Sequence, residues 1–497
     1  MRPEFAHLFT RPFWLDEWHT NLVANRASLT QVFSDLYHGS DMGPPLVHVI
    51  AWTLARITGE VTPVGARIVS LLSVLLALLF VFLILRRRFG LAASIAGALA
   101  VASHQLVVAH AFELRYYCLW LAFAAGFAWS LTLDSDRVSS RRRDVAVAIM
   151  AALLCLTHWL AVLSLGLMCV GAMASFERDW RAGLRRVMPA TAGFLAVVLS
   201  VPLVLAQRAA VVETSWMPNV TLGIAATTIN TFWGGKILIL AVLVILVGLL
   251  RAQVKGPLKH SLAGAIRDPG TAALFSLLAV PLLMAILSIS YPAMHPRYSI
   301  AALLAWAPVV ALAVQSIGRI ARGFFFVVLL LFLWVSLVDL TIEATRFIYS
   351  ASGGKTALAR ACGMNLPVVF QVRHLMYPST DGASRRWARC DTRYLAVPSA
   401  TLDRMFRGGY LSRFFRFENE IARLHERLYG YPKVAAQAQL DSVPRFLLVG
   451  WDDSFPAGYK SVEHFGGAVF PNHHITRISE DLALLERRGP TKPGSPR

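Results

Sequence analysis

The sequence predicts a mainly α-helical polytopic membrane protein, with about ten transmembrane helices followed by a small soluble α/β domain. Two observations lead to this fold class. Of the 497 residues, 56% are hydrophobic and only 15% are charged, whereas a soluble protein carries about a quarter charged residues. Long apolar runs also alternate with short basic loops from residue 65 to residue 342, and the chain becomes polar after that point.

Residues 1–64 are expected to form an external segment with juxtamembrane helices and an acidic pair. The stretch from Pro44 to Ile57 is apolar but short, and a proline in the first turn suits a helix lying on the membrane surface. The first 40 residues lack the pattern of a signal peptide. An even number of spans places both chain ends outside, so residues 1–64 would have to cross the membrane without a preceding helix. The sequence therefore predicts that the native start lies upstream of Met1, or that an initial transmembrane helix is missing.

The transmembrane domain is expected at residues 65–342, since apolar runs of about 15 to 20 residues can cross the hydrocarbon core of a bilayer as helices. The predicted spans are 65–85, 91–110, 118–133, 144–158, 160–176, 189–206, 235–250, 271–290, 299–316 and 323–342. Three cysteines, Cys118, Cys155 and Cys169, fall within these runs and are expected to be small core residues.

Basic residues are distributed unequally between the two sides of the predicted bundle. Alternate loops are rich in arginine, as at 86–88 and 141–143. The short loops of the other side carry only Arg115, Arg208 and Arg297, with Lys236 at a helix start. Because cytoplasmic loops carry an excess of Lys and Arg, the arginine-rich side is predicted to be cytoplasmic. The polar groups that could take part in catalysis or binding then converge on the opposite face of the cell membrane, which is periplasmic or extracellular. The Ala- and Arg-rich composition of the chain suits a bacterium.

The acidic pair Asp16-Glu17 lies in the aromatic run 13–18. Such a pair suits an active site at the membrane face, where a carboxylate takes a proton from an incoming nucleophile. The aromatic surroundings are expected to raise a carboxylate pKa by desolvation. The alternative is an acidic pair that stabilises the N-terminus of a helix.

Two external arginine-tyrosine sequences are candidate phosphate sites. Arg115-Tyr116 lies in a loop of almost no length, and His295, Arg297 and Tyr298 lie in a loop stiffened by two prolines. A guanidinium group is a permanently charged, bidentate partner for phosphate. The alternative for Arg115 is snorkelling toward lipid headgroups.

Further candidates for binding a substrate or a metal ion are single polar residues on the same face. Asp41 either forms a turn or orients a substrate or metal ion, and His158 is either structural or a metal or phosphate ligand. The 207–236 loop, which ends at Lys236, is long enough to cover a pocket, and its Trp and Asn residues suit sugar binding or interfacial anchoring equally well. No zinc-type Cys/His spacing occurs, and a divalent cation is left open.

Residues 343–488 are predicted to form a soluble periplasmic α/β domain, and residues 489–497 a disordered tail. Short apolar runs predict strands at 367–370, 394–397 and 445–449, and helices are expected at 356–362 and 418–428. Cys362 and Cys390 could form a disulfide if this domain faces an oxidising compartment.

The order of these elements resembles a known family. The Asp16-Glu17 pair is followed by Asp41 and a Pro-Pro-Leu sequence at 44–46, then by the helix start Ala66–Ser70 and the Arg115-Tyr116 loop. This order is similar to that of bacterial GT-C membrane glycosyltransferases of the protein-mannosyltransferase and aminoarabinose-transferase type. Two features depart from the family. Its first transmembrane helix is absent, and Tyr116 directly follows the arginine, where many relatives have an intervening proline.

The resemblance implies a polyprenyl-phosphate-linked sugar donor, used at the non-cytoplasmic face in contact with membrane lipids. It implies that Asp16 is the general base with Glu17 as its partner, and that Arg115 and Arg297 contact the donor phosphate. A single displacement by an acceptor hydroxyl of a glycan, lipid or protein would invert the anomeric centre. The alternatives are a lipid-linked oligosaccharide ligase or polymerase, and a transporter or flippase. Nucleic-acid binding is not expected despite a net charge of +19, because most basic residues of the helical region fall in short loops between apolar runs.

Overall fold

The computed structural model contains a helical part followed by a mixed β-sheet. It describes residues 3–11, 13, 15–133, 139–176, 179–211, 228, 264–290, 295–316, 319–364, 366–370, 392–406, 416, 419–420, 422–424, 426–427, 433–449, 462–479 and 482–488. Several predicted features lie outside these residues. They are the span 235–250, nearly all of the 207–236 loop including Lys236, Cys390 and the tail 489–497.

Four short helices form the N-terminal segment. They are α1 (Pro3–Thr10), α2 (Leu15–Ala24), α3 (Leu29–Tyr37) and α4 (Leu46–Thr58). Helix α4 begins directly after Pro45, and Ser28 caps α3 by accepting the backbone N–H of Gln31 at 3.3 Å. Arg26 joins the end of α2 to α3 through two hydrogen bonds to Asp35, at 2.6 and 3.0 Å.

The membrane part follows as a series of apolar helices. Its first half comprises α5 (Pro63–Arg86), α6 (Leu91–Ala102), α7 (Gln105–His110), α8 (Tyr117–Ser130), α9 (Ser140–Cys155), α10 (Ala161–Ala174), α11 (Trp180–Val187) and α12 (Thr191–Val211). The described remainder comprises α13 (Pro269–Ser276), α14 (Val280–Ser290), a 3₁₀ helix (Pro296–Ala305), α15 (Trp306–Ser316) and α16 (Arg319–Cys362).

The prediction of about ten spans is not confirmed. In the described part of the chain, five helical segments are long and apolar enough to cross a membrane: Pro63–Arg86, Trp180–Ala210, Pro269–Ser288, Pro296–Ser316 and Phe325–Ile342. The predicted spans 118–133 and 160–176 coincide with shorter apolar helices. The predicted span 91–110 is interrupted because the His104 side chain accepts the Leu106 N–H and starts a new helix there.

Small residues allow the helices of this bundle to approach closely, as is common in membrane proteins. A Cβ atom added to Gly97 of α6 would lie 2.5 Å from the carbonyl oxygen of Ala307 in α15. The core formed around these contacts is largely aliphatic, with aromatic pairs such as Phe80 and Trp129, whose rings stack at 5.2 Å.

The C-terminal region contains a six-stranded sheet of order β3-β2-β1-β4-β6-β5. The strands are β1 (Val368–Phe370), β2 (Thr392–Ala396), β3 (Lys433–Ala436), β4 (Arg445–Val449), β5 (His473–Ser479) and β6 (Leu482–Arg487). Strands β1 to β4 are parallel, whereas β6 and β5 are antiparallel additions. Helices α17 (Ser399–Phe406), α18 (Gln437–Asp441) and α19 (Val462–Val469) accompany them, and the described residues between 419 and 427 are also helical.

Three of these strands coincide with the strands predicted at 367–370, 394–397 and 445–449. Helix α16 continues for 20 residues beyond the predicted end of the last span at residue 342, so the predicted boundary at 343 lies inside a continuous helix. Cys362, at the end of that helix, is disulfide-bonded.

Candidate active site

The first ion pair of the site joins two segments that lie far apart in the chain. Asp16 occupies the first turn of α2, and Arg297 lies in the first turn of the 3₁₀ helix. The Nη1 atom of Arg297 donates a hydrogen bond to Oδ2 of Asp16 at 2.8 Å. Both side chains remain partly open, 22% exposed for Asp16 and 13% for Arg297. A ligand can therefore reach this pair.

Arg115 and Asp41 form a second, more deeply buried ion pair beside the first. Nη1 of Arg115 donates to Oδ2 of Asp41 at 2.8 Å. The same nitrogen lies 2.9 Å from the backbone oxygen of Asp16 and 2.9 Å from Oγ1 of Thr20. Arg115 therefore ties the start of α2 to the loop that carries Asp41.

Asp41 accepts further hydrogen bonds on the same oxygen. Oδ2 receives the Thr20 hydroxyl at 3.1 Å and Nε2 of His48 at 2.9 Å. Burial raises the pKa of Asp41, but Arg115 and His48 outweigh burial and hold that pKa well below its usual range. Asp41 is therefore a permanent negative charge that fixes its neighbours.

The expectation that aromatic surroundings raise the pKa of Asp16 is wrong in its net sign. Burial does act to raise this pKa, but the positive charges of Arg297 and Arg115 outweigh burial, and the pKa of Asp16 lies below its ordinary value of 3.8. Asp16 is therefore ionised at neutral pH. It is a weak proton acceptor for as long as Arg297 remains paired with it.

Glu17 faces a different set of partners from its neighbour Asp16. Its side chain is fully buried, with Oε1 accepting the backbone N–H of Leu114 at 2.8 Å and Oε2 lying 3.4 Å from Nη2 of Arg67. These contacts link α2 to the residue directly before Arg115. The geometry favours a structural contribution of Glu17 to the site.

Arg67, in the second turn of α5, holds the backbone around the site. It is fully buried and donates to the carbonyl oxygens of Phe9 at 2.7 Å, Arg11 at 2.5 Å and Phe112 at 3.1 Å. Ser70, one turn further along α5, donates to the carbonyl oxygen of Glu113. We refer to Glu17, Arg67 and Ser70 as the backbone bracket.

Sequence reasoning used Arg67 only as part of a family pattern and assigned it no role. The available signal was a charged residue in the second turn of an otherwise apolar helix. Thr20 was also missed, because a threonine within a short helix carries no distinguishing pattern.

Aromatic rings and a histidine form one wall of the site. The His158 ring stacks on Trp120 with centroids 4.6 Å apart and an angle of 10° between planes, and it lies 4.7 Å from Tyr116 and 5.1 Å from Tyr298. Nδ1 of His158 accepts the Leu160 N–H at 3.1 Å. Burial, together with Arg115 and Arg297, lowers the pKa of His158 to about 3. The ring is therefore neutral, and its proton is carried on Nε2.

His295 precedes the 3₁₀ helix and caps it. Its Nδ1 accepts the backbone N–H of Arg297 at 3.4 Å. Burial, followed by the charge of Arg297, lowers the pKa of His295 to about 3. His295 is therefore an uncharged cap that helps to orient Arg297.

One cavity of about 80 Å³ unites most of the predicted residues. Its lining includes Asp16, Asp41, Arg115, Tyr116, Arg297 and Tyr298. The ring of His158 contacts Tyr116 and Tyr298 of this lining, and His295 accepts the backbone N–H of Arg297. Glu17 lies outside the lining and contacts Leu114 and Arg67. Lys236, the remaining candidate, lies outside the described residues.

The described side chains do not fit a divalent cation. Among them, no group of three or more His, Cys, Asp or Glu residues is arranged to hold a metal ion. Oδ2 of Asp41 is already surrounded by three donors, and Oδ2 of Asp16 receives a guanidinium group.

Comparison with known proteins identifies a shared fold. No protein-family model and no curated protein matches the sequence. Among solved structures, ArnT from Cupriavidus metallidurans in its apo state aligns with a TM-score of 0.57 at 13% identity, over 97% of this chain and 95% of that chain. The ArnT structure bound to undecaprenyl phosphate aligns with a TM-score of 0.54 at 12% identity, over the same shares.

The chain has the fold of ArnT. The resemblance to GT-C enzymes of the aminoarabinose-transferase type is thus confirmed at the level of fold. The archaeal oligosaccharyltransferase AglB from Archaeoglobus fulgidus aligns less well, with a TM-score of 0.44 at 10% identity, over 97% of this chain and 71% of that chain. That weaker likeness carries no functional weight.

Proposed function

We propose that this protein is a membrane glycosyltransferase that moves a sugar from a polyprenyl-phosphate donor to an acceptor hydroxyl at the periplasmic face of the bacterial inner membrane. One observation carries the proposal. Two carboxylates and two guanidinium groups meet in a single cavity, within a fold that aligns with ArnT along 97% of the chain. The ArnT structure in that alignment is bound to undecaprenyl phosphate. The orientation rests on the excess of basic residues in the predicted cytoplasmic loops.

The two arginines have different parts in this proposal. Arg115 is committed to Asp41, Thr20 and the backbone of Asp16, so it serves to hold the site together. Arg297 has the more open ion pair and is the residue that receives the donor phosphate. The hydroxyl groups of Tyr116 and Tyr298, which line the same cavity, supply further donors to the phosphate oxygens.

Asp16 acts as the general base, and its strength depends on the donor. Without donor, the guanidinium group of Arg297 pairs with Asp16 and lowers its pKa. A donor phosphate competes for that guanidinium group, and once it is drawn away the effect of burial raises the pKa of Asp16. The base therefore becomes effective only when the donor is bound.

The reaction is then a single displacement. The acceptor oxygen forms a bond to the anomeric carbon as the bond from that carbon to the phosphate oxygen breaks, and the hydroxyl proton passes to Asp16. The negative charge that develops on the leaving phosphate is balanced by Arg297. Attack from the face opposite the phosphate inverts the anomeric centre. Glu17 does not take the proton in this scheme, because its carboxylate is occupied by Leu114 and Arg67.

Transfer of a radiolabelled sugar from a polyprenyl-phosphate donor, measured in membranes, tests this function. Asp16→Asn should abolish transfer without lowering the amount of protein. Asp144→Asn is the matched control, because it makes the same change at a 39% exposed residue that pairs with Arg143. Normal transfer by Asp16→Asn would exclude the base assignment. Movement of the lipid donor without sugar transfer would instead identify a transporter or flippase.

A further inference from the structure

A second cavity, of about 320 Å³, lies in the C-terminal sheet. Small-molecule sites begin at about 300 Å³, so this volume is sufficient for a compact ligand. The residues around it come from β2, β3, α18 and the helical residues before β3: Ala396, Arg423, Glu426, Arg427, Val434, Ala436 and Gln439. We refer to this cavity as the β3 pocket.

The β3 pocket reaches the edge of the sheet at which ligands bind in many α/β proteins. Ala396 and Ala436 are the last residues of β2 and β3, and they are paired with each other in a parallel ladder. Open parallel sheets bind ligands outside the carboxyl ends of their strands, at the point where the strand order reverses. In the order β3-β2-β1-β4 that point lies between β1 and β4. The pocket shares the carboxyl-end edge of the sheet but lies beside β2 and β3, so its chemistry depends on the side chains that line it.

The charge of the pocket is positive because, among the described residues, two arginines and one carboxylate, that of Glu426, line it. Oε1 of Glu426 accepts the backbone N–H of Val434 at 3.0 Å and so joins the helical residues to β3. Arg423 pairs with Glu420 at 2.9 Å, but both side chains are 47% exposed, and such an exposed pair is weak. Within the described residues, Arg427 has no ion pair or side-chain hydrogen bond.

Arg423 and Arg427 are four residues apart, so they lie on the same face of the helical turn. Two guanidinium groups that project from one face can hold the oxygens of a single anion together. A phosphate ester matches this arrangement in charge and in hydrogen-bonding geometry.

We propose that the β3 pocket binds a phosphate ester through Arg423 and Arg427. If the proposed transferase function holds, the ligand is the phosphorylated part of the acceptor. A phosphate ester could also come from a lipid headgroup, and the two sources are distinguished by competition.

The test uses the full-length protein in phosphatidylcholine nanodiscs and glucose 6-phosphate as the soluble probe, measured by isothermal titration calorimetry. Loss of a hydrogen-bonded charge contact weakens binding by about tenfold or more. We therefore expect Arg423→Gln/Arg427→Gln to bind the probe at least about tenfold more weakly than the wild type. The matched control is Arg445→Gln, which removes an exposed arginine that is paired with Glu486 on β6 of the same domain.

The proposal is overturned if the wild-type protein binds no probe, or if the double variant binds as tightly as the wild type. Loss of binding in Arg445→Gln as well would also overturn it, because it would indicate general charge attraction. Unchanged thermal unfolding of the double variant rules out misfolding as the cause of any loss.

The same titration in nanodiscs that contain phosphatidic acid identifies the source of the phosphate. Competition by the lipid indicates a headgroup, and undiminished binding indicates a soluble acceptor, so the phosphate site stands in both cases. Asp16→Asn should bind the probe as the wild type does. The two experiments therefore have independent outcomes. Phosphate binding at the β3 pocket can be observed even if no sugar is transferred, and sugar transfer can be observed even if the β3 pocket binds no phosphate.

Discussion

Replacing Arg67 with methionine tests whether the backbone bracket sets the geometry of the site. Methionine retains much of the length of the side chain but removes all bonds to the carbonyl oxygens of Phe9, Arg11 and Phe112. It also leaves Glu17 as a buried carboxylate without its arginine. Removal of one partner of a buried ion pair destabilises a protein by about 3–5 kcal/mol, which is a large part of a typical stability of about 5–15 kcal/mol.

A double-mutant cycle separates the ion pair from the backbone bonds. Glu17→Gln keeps the length of the side chain and a hydrogen-bond acceptor for Leu114, so it should destabilise less than Arg67→Met. In Glu17→Gln/Arg67→Met no carboxylate is left unpaired, and the cost should fall below the sum of the two single changes by about 1–3 kcal/mol. Strictly additive effects would refute the idea that the two side chains act together.

The measurements are the midpoint of thermal unfolding in detergent and the kinetics of sugar transfer. Because Arg67 holds the carbonyl oxygen of Phe112, three residues before Arg115, kcat of Arg67→Met should fall more than the KM for the donor rises. Arg141→Met is the control, because Arg141 is an exposed arginine of α9 and should change stability by no more than about 0.5 kcal/mol. An Arg67→Met protein as stable and active as the control would show that the bracket is dispensable.

Three further changes have defined outcomes. Arg297→Gln removes the largest influence that lowers the pKa of Asp16, so this pKa should rise. The acid limb of the pH–rate profile should then move to higher pH, and the KM for the donor should increase. An unmoved acid limb would contradict the pairing of Asp16 with Arg297. The pKa of Asp41 is lowered in the folded protein, so its charge stabilises the fold above pH 3.8, and this stabilisation is lost as the pH falls toward the folded-state pKa. Asp41→Asn should therefore be less stable than the wild type at neutral pH. Its unfolding temperature should also fall less on acidification than that of the wild type. Gly97→Ala should destabilise the bundle by about 1–3 kcal/mol, because the new Cβ atom would lie 2.5 Å from a backbone carbonyl oxygen. Gly166→Ala is the control and should be neutral, because nothing lies within 4 Å of the added Cβ atom.

Local patterns in the sequence were sufficient for the parts of the protein whose signal lies within one stretch of chain. Apolar runs located helices such as α5, α8 and α10, and three short apolar runs located β1, β2 and β4. The candidates Asp16, Arg115 and Arg297, which line one cavity, were selected because charged groups are rare beside apolar helices. The number of spans could not be predicted accurately from hydropathy. A capping residue such as His104 ends one helix and starts another within an apolar run, without changing the average hydropathy of that run.

The sequence by itself determined which groups carry charge, and it predicted that they converge on one face of the membrane. Only the tertiary structure decided which charges pair. Asp16 and Arg297 are 281 positions apart in the chain, yet their side chains lie 2.8 Å apart. The sign of the Asp16 pKa shift depends on that distance, because burial raises the pKa and a nearby guanidinium group lowers it. Coulombic interactions are set by separation in space, and no local pattern of residues contains that separation.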